Sequence, residues 1–279
     1  MTTYGDYTTV HFARSMYLSS DKSGDDNLIL SFIRQSSREI DRLSGKKFFP
    51  TVESRKFDVP KYGGSDIYLD ADLLTLLSIT NGDGSSISLS DVILIGNNDV
   101  TKNIVRLPQI NGLWLPDGST EEQAITITGV WSNLYDPTAG WLSTDTLDAD
   151  MLDSDIAFES VVDRFKSGDL IKIDSEFMYV LSVASPGEGE TKDTVTVERA
   201  TNGTTAASHE SSSTIYMWNP GYEIQMLTAI SAISYYQLRS NPLTSSYTAD
   251  GVTIYTPKDI TKFIKNKLAD LRLLRIGLA

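Results

Sequence analysis

The sequence contains no cysteine among its 279 residues and only two histidines, His11 and His209. The missing thiols exclude disulfides, cysteine catalysis and cysteine-rich zinc sites, and they fit a chain made in a reducing cytoplasm. A catalytic serine needs a base, and neither histidine lies in a recognisable triad context or near a Gly-x-Ser-x-Gly turn. We therefore expect structural or surface roles for both histidines, and a zinc site would need several carboxylates to complete it.

Long apolar runs are also missing. Runs such as LLTLL at 73–77 and VILI at 92–95 are far shorter than the roughly 18–20 residues that cross a bilayer. The first ten residues, MTTYGDYTTV, lack the basic and then apolar layout of a secretory signal. The sequence therefore predicts neither translocation nor membrane insertion. Its hydrophobic content of 40% is enough for one large core or two modest ones.

Basic residues are fewer than acidic ones, so the net charge is −13. The acidic and basic residues are unevenly distributed along the chain. Residues 136–219 carry 16 acids and 5 bases, a net charge of −11. The last 24 residues, 256–279, carry 6 bases and 2 acids, a net charge of +4. An acidic segment and a basic end favour two surfaces that face different partners. The simpler alternative is a solvated acidic face that promotes solubility.

Helical periodicity marks the two ends of the chain. A first helix starts at Asp25 and is ended by Gly45. A second covers 220–239, with Asn219 as N-cap and Pro220 at the first position. A third begins at Thr256 and has a basic surface beside an apolar stripe. The members of that stripe are Ile260, Phe263, Ile264, Leu268, Leu271 and Leu274.

Between the helices, short apolar runs separated by Gly, Asn, Asp and Pro predict strands. Those of 51–131 form a β-rich region laid against the first helix, with a hairpin turn in Asn81–Gly84. We predict an α+β fold: a helical and β adaptor core with amphipathic helices at both ends, and an inserted small all-β barrel or sandwich. The predicted domains are a core at 1–135 plus 220–279, an acidic linker at 136–160, and a β module at 161–219.

The sequence lacks the short motifs that are typical of nucleotide-binding, catalytic and calcium-binding sites. Neither a Walker phosphate loop nor a strand-flanked Gly-x-Gly-x-x-Gly occurs. Carboxylates are abundant, but they are concentrated in the predicted linker, where two of them would not acquire separated pKa values. The Asn81–Gly84 stretch lacks the flanking acids of a calcium loop. We therefore predict that the chain is not an enzyme, with no catalytic residues, no cofactor and no metal site.

Several stretches together resemble the head–tail connector (adaptor) proteins of tailed bacteriophages. They are LILSFIRQSSREIDRLSGKKFFP (28–50), LLSITNGDGSSI (76–87), the helix at 220–239 and TPKDITKFIKNKLADLRLL (256–274). Within the predicted β module, GDLIKIDSEFMYVLSV (168–183) and VERATNGTTAASH (197–209) are similar to a pattern of virion tail and neck proteins. The simpler connectors lack such an insertion.

The resemblance implies a structural virion neck protein, made in the cytoplasm of the bacterial host. It implies a ring homo-oligomer, usually a dodecamer, that docks under the portal protein and extends the DNA channel without binding DNA specifically. The ring would present a platform for a stopper or tail-completion protein. In this family the C-terminal segment commonly engages the portal. Carried onto this chain, the portal-docking residues are Lys267, Leu271, Arg272, Leu274, Arg275 and Ile276.

Two alternatives remain open from the sequence. The chain could be a tail-completion or stopper protein, bound one layer further down. It could also be a carbohydrate-binding component of receptor recognition, in which Trp218, Tyr179 and Tyr216 stack on sugars. The simpler interpretation of these three aromatic residues is that they belong to the core of the strands.

Overall fold

The computed structural model describes residues 3–17, 23–96, 100–134, 138–240, 246–249, 252–255 and 259–271. The chain divides into two compact units. Unit 1 comprises Met1–Gly45 and Thr138–Ala279, and unit 2 comprises Lys46–Pro137. In the described ranges, no helix combines the length and apolar character that a membrane crossing needs.

Unit 2 is built on a six-stranded antiparallel sheet in the order β1-β6-β2-β5-β4, with the short β3 paired to β2. The strands are β1 (Thr51–Phe57), β2 (Asp66–Thr80), β3 (Ser86–Ile87), β4 (Ile93–Ile95), β5 (Lys102–Arg106) and β6 (Ile125–Trp131). The sheet has its own apolar core, which includes Leu73, Ile79, Val105, Ile127 and Trp131. Residues 51–131 therefore form an independent β unit.

The predicted turn at Asn81–Gly84 is confirmed, because it joins β2 to β3 and the N–H of Gly84 donates to the carbonyl of Asn81.

Gly129 in β6 allows a close approach between two strands of the sheet. A Cβ at Gly129 would lie 2.4 Å from Cδ1 of Leu73 and 2.7 Å from the carbonyl oxygen of Thr75. Only glycine lets β6 approach β2 this closely.

Unit 1 contains a second antiparallel sheet of six strands, in the order β7-β12-β9-β10-β11-β8. The strands are β7 (Gly140–Thr146), β8 (Ala157–Val161), β9 (Leu170–Ile173), β10 (Glu176–Ala184), β11 (Lys192–Glu198) and β12 (Thr214–Asn219). The last four lie where the sequence predicts strands. The first two lie in or across the segment 136–160 that the sequence predicts as a linker.

The edge strands β7 and β8 meet through Asp145. Its carboxylate accepts hydrogen bonds from Oγ of Ser160 at 2.5 Å, from the N–H of Val161 at 3.2 Å and from the N–H of Thr146 at 2.9 Å. Burial raises the pKa of Asp145, but these three hydrogen bonds outweigh it and hold the pKa below its usual value. The sheet thus curls until its two edges are joined by a side chain.

Four helices belong to the described part of unit 1: α1 (Val10–Tyr17), α2 (Asp26–Ser44), α3 (Tyr222–Ser240) and α4 (Ile260–Asp270). A two-stranded hairpin, β13 (Ser246–Ala249) with β14 (Val252–Tyr255), precedes α4. Helices α1, α2 and α3 share one core, and small residues on α3 allow their close approach. That core comprises Ala13, Ile29, Ile33, Ala229, Ala232 and Ile233.

The predicted fold class is wrong. The described residues form two six-stranded antiparallel sheets with four helices, rather than a helical adaptor core that carries a small β module. Two physical causes explain the error. The region 51–131 buries its apolar side chains within its own sheet. In the edge strand β8, one of the two buried positions is occupied by Ser160, so the strand lacks the apolar alternation that would reveal it.

Helix boundaries agree only in part with the prediction. Helix α2 ends at Gly45, which adopts a left-handed φ of 68° as a C-cap. Helix α3 starts at Tyr222, because Asn219 is still the last residue of β12. Helix α4 is capped by Asp259, whose side chain accepts the N–H of Lys262 at 2.9 Å; the predicted cap, Thr256, lies outside the described residues.

Candidate docking surface

Helix α4 is anchored along one side and exposed along the other. Ile260, Ile264 and Leu268 are buried among contacts with α2 and α3, as the apolar stripe predicts. The lysines at 262, 265 and 267 are exposed. A helix that is held by three buried side chains presents its basic surface in a fixed orientation, which is what a docking element requires.

A groove with an apolar floor runs between α3 and α4. Its volume is about 270 Å³. On α3 it is lined by Tyr222, Glu223, Met226, Leu227 and Ile230, and on α4 and its end by Phe263, Lys267, Asp270 and Leu271. The charged residues of the lining are Glu223, Lys267 and Asp270. Nζ of Lys267 lies 3.8 Å from a carboxylate oxygen of Asp270.

The groove brings together two of the residues predicted to dock on a portal. Lys267 is exposed and Leu271 is half-buried, and both line the groove. The other four, Arg272, Leu274, Arg275 and Ile276, lie outside the described residues. The α3 side of the groove was not predicted, because Tyr222 and Met226 belong to a helix whose periodicity indicated only a core face.

The stretches at 168–183 and 197–209 meet in a buried network around Glu176. Arg199 donates to both carboxylate oxygens of Glu176, at 2.8 and 2.7 Å. The N–H groups of Ala200 and Ala207 also donate to it, each at 3.0 Å. Burial raises the pKa of Glu176, but Arg199 and these N–H groups outweigh it and lower the pKa. The charged residues of the two stretches therefore hold one another in the interior of this unit.

His209 belongs to the same network and is buried. One ring nitrogen lies 2.7 Å from Asp174 and the other lies 3.0 Å from Glu176. Both nitrogens are thus occupied by carboxylates, and neither is directed at a substrate site. Within the part of the chain that the structure describes, no group of three or more His, Asp or Glu side chains is arranged to hold a metal ion.

The tyrosine-rich arm that precedes α1 is bound by the sheet and by α2. Asn202 receives the N–H of Tyr4 at 2.7 Å and donates to its carbonyl at 2.8 Å. The ring of Tyr4 stacks on Tyr179 with centroids 3.6 Å apart. Further along the arm, the hydroxyl of Tyr7 donates to Asp41. Asn202, in the stretch 197–209, therefore holds the arm against unit 1's sheet.

The aromatic residues that could have stacked on sugars are covered. Trp218 is buried against Trp141, and Tyr179 is buried beneath Tyr4. The ring of Tyr216 is half-buried, with Nζ of Lys172 lying 4.9 Å from its centroid. These three rings do not form an exposed platform, in agreement with their interpretation as part of the sheet.

Comparisons with family models, with curated proteins and with solved structures found no significant match to this chain.

Proposed function

We propose that this chain is a structural neck protein of a tailed bacteriophage, a head–tail adaptor that assembles as a ring under the portal. In this role it extends the DNA channel and offers a platform to the next neck or tail protein. The proposal begins with the resemblance of the helix and turn stretches and of the two β stretches. The observation that carries it furthest is the anchored helix α4, with its three buried side chains and its exposed lysines.

The charge distribution supports this role. Residues 138–219, with a net charge of −10, belong to unit 1, the same unit that carries the lysines of α4. Non-specific binding to DNA depends on basic contacts with phosphates. An acidic protein of this kind lets DNA pass without retaining it, while the basic helix pairs with acids on a partner protein.

The test is co-migration of the purified chain with the portal protein from the same genome. The docking variant carries Lys262→Glu, Lys265→Glu and Lys267→Glu, which leave the buried face of α4 intact. A matched control carries Arg42→Glu, Lys56→Glu and Arg164→Glu, three exposed bases elsewhere with the same change in net charge. Truncation before Leu268 is unsuitable because that side chain is fully buried.

We expect the wild type and the control to bind the portal and the docking variant to fail, with all three unfolding at similar temperatures. If the docking variant still binds, the claim for the C-terminal surface is wrong. If the wild type does not bind the portal at all, the adaptor proposal fails. Binding to the next neck protein without binding to the portal indicates a stopper or tail-completion protein instead.

A further inference from the structure

Unit 2 carries an exposed apolar tip formed by two neighbouring loops. Tyr62 and Ile110 are almost fully exposed, at 104% and 94%, and Leu113 is 57% exposed. The loops are joined by a hydrogen bond from Nε2 of Gln109 to the carbonyl of Gly63 at 3.0 Å. Tyr62 and Leu113 line the same shallow hollow. Large apolar side chains grouped at a loop tip are typical of an interaction site.

Tyr62 is also held in a backbone conformation that tyrosine rarely adopts. Its φ is +61° and its ψ is +29°, the left-handed region that favours glycine or asparagine. Such a conformation costs about 1–3 kcal/mol, and strained residues are concentrated at binding and catalytic sites. A strained residue whose ring is left in solvent gains nothing from burial in its own chain. The strain is therefore consistent with a ring that is used outside the chain.

The groove between α3 and α4 has the complementary character. Its volume is about 270 Å³, whereas an apolar cavity of about 150 Å³ already holds benzene. The lining of the groove is mainly Met, Leu, Ile and aromatic side chains, and its charged residues are Glu223, Asp270 and Lys267, a net charge of −1. Beside Tyr62 on the tip stands Lys61, which is exposed. Apolar surface and opposite charge thus match between tip and groove.

We infer that the tip of one copy, Lys61, Tyr62, Ile110 and Leu113, docks into the α3–α4 groove of a second copy. Tip and groove are different surfaces, so the contact is head-to-tail, and repeated contacts of this type produce rings or open chains. The inference rests on the proposed function to the extent that it supplies the subunit contact of the proposed ring. Lys61 faces Glu223 or Asp270 in this contact.

The absence of cysteine allows a direct test with one thiol on each chain. A full-length Asn111→Cys chain, whose thiol stands next to Ile110 at an exposed position of the tip, is mixed at high concentration with a full-length Met226→Cys chain, and a short bis-maleimide links thiols that come close together. The control mixture pairs Asn111→Cys with Val161→Cys, an exposed position on β8. Chains of different tag length identify each product on a denaturing gel, and circular dichroism verifies that each variant is folded.

We expect the tip–groove pair to give roughly tenfold more cross-linked heterodimer than the control pair, because docking raises the effective concentration of one thiol near the other. Adding Lys61→Glu to the tip chain should lower the yield, and adding Glu223→Lys to the groove chain should restore it. Equal yields from the two mixtures overturn the inference and leave the groove to residues 272–279 or to another protein.

The design separates this inference from the proposed function. Asn111 and Met226 are not among the predicted portal-docking residues, and the lysines of α4 stay unchanged. If the chain binds the portal but cross-links only at the control level, the inferred subunit contact is wrong and the adaptor proposal stands. If cross-linking is strong but the chain does not bind the portal, the subunit contact is supported and the adaptor proposal is wrong.

Discussion

Replacing Arg199 tests the network that joins the two β stretches of unit 1. The guanidinium uses all five of its N–H donors: three reach carbonyls of Leu152, Asp155 and Ala207, and two reach Glu176. Arg199→Met leaves the carboxylate of Glu176, which is fully buried, without its cationic partner. Breaking a buried pair in this way costs about 3–5 kcal/mol, a large share of the roughly 5–15 kcal/mol that stabilises a domain.

Arg199→Lys is expected to cost less. It keeps the charge but supplies three donors instead of five, from a point rather than a planar fork. At least two acceptors lose their donor, and we expect a loss of about 2 kcal/mol.

The stability that Glu176 contributes depends on pH in a definite direction. Because the pKa of Glu176 is lowered in the folded state, the stability it supplies is present above its ordinary pKa and is lost as the pH falls through the lowered value.

The measurement is urea unfolding at pH 7, followed by hydrogen-exchange mass spectrometry of peptides from β10 and β12. These peptides report on unit 1 separately from unit 2. Exposed Arg164 provides the control, since Arg164→Met should stay within about 0.5 kcal/mol of the wild type. The double variant Glu176→Gln with Arg199→Met should recover part of the loss. A cost below about 1 kcal/mol for Arg199→Met would refute the reasoning.

Three further changes test other parts of the fold. Asn202→Ala removes both hydrogen bonds to Tyr4, so amide exchange in the arm should accelerate about tenfold or more, whereas unchanged exchange would mean that the stacked rings alone hold the arm. Burial raises the pKa of Asp169 from 3.8 to about 6. The ionised carboxylate therefore destabilises the folded state, and this loss of stability develops as the pH rises from about 3.8 through about 6. Asp169→Asn should gain up to about 3 kcal/mol of stability at pH 8. At pH 3 that gain should be absent, and a gain of the same size at both values in urea titrations would contradict this explanation. Gly129→Ala should cost unit 2 about 1–3 kcal/mol in thermal unfolding, because the added methyl overlaps Leu73, and an unchanged midpoint would indicate that β2 can yield.

Elements with local signals could be predicted from the sequence. Helix α2 has an amphipathic period of its own and ends at a glycine that adopts positive φ. The strands β9 to β12 combine alternation with clear turns, and the Asn81–Gly84 turn carries its own preference for the hairpin. In each case, residues close together in sequence provide the energy difference that decides the conformation.

Elements that depend on distant partners could not be predicted. The short apolar runs of 51–131 predicted short strands, whereas β2 is a long strand from Asp66 to Thr80. Its acids pair with bases that are distant in sequence: Asp70 with Arg55 of β1 at 2.9 Å, and Asp72 with Lys46, which precedes β1, at 3.3 Å. Charge within a strand is tolerated when the fold places an opposite charge beside it.

The candidate surface divides in the same way. The apolar stripe and the basic face of α4 were predictable, because a helical period of 3.6 residues assigns each side chain to a face. The groove required α3, the tip required two loops joined through Gln109 and Gly63, and the capture of Tyr4 required Asn202 from nearly 200 positions away. The sequence by itself determined the composition, the charge asymmetry and the locally encoded helices and turns. Only the tertiary structure decided which strands share a sheet and which surfaces stand exposed, because those outcomes depend on contacts between residues far apart in the chain.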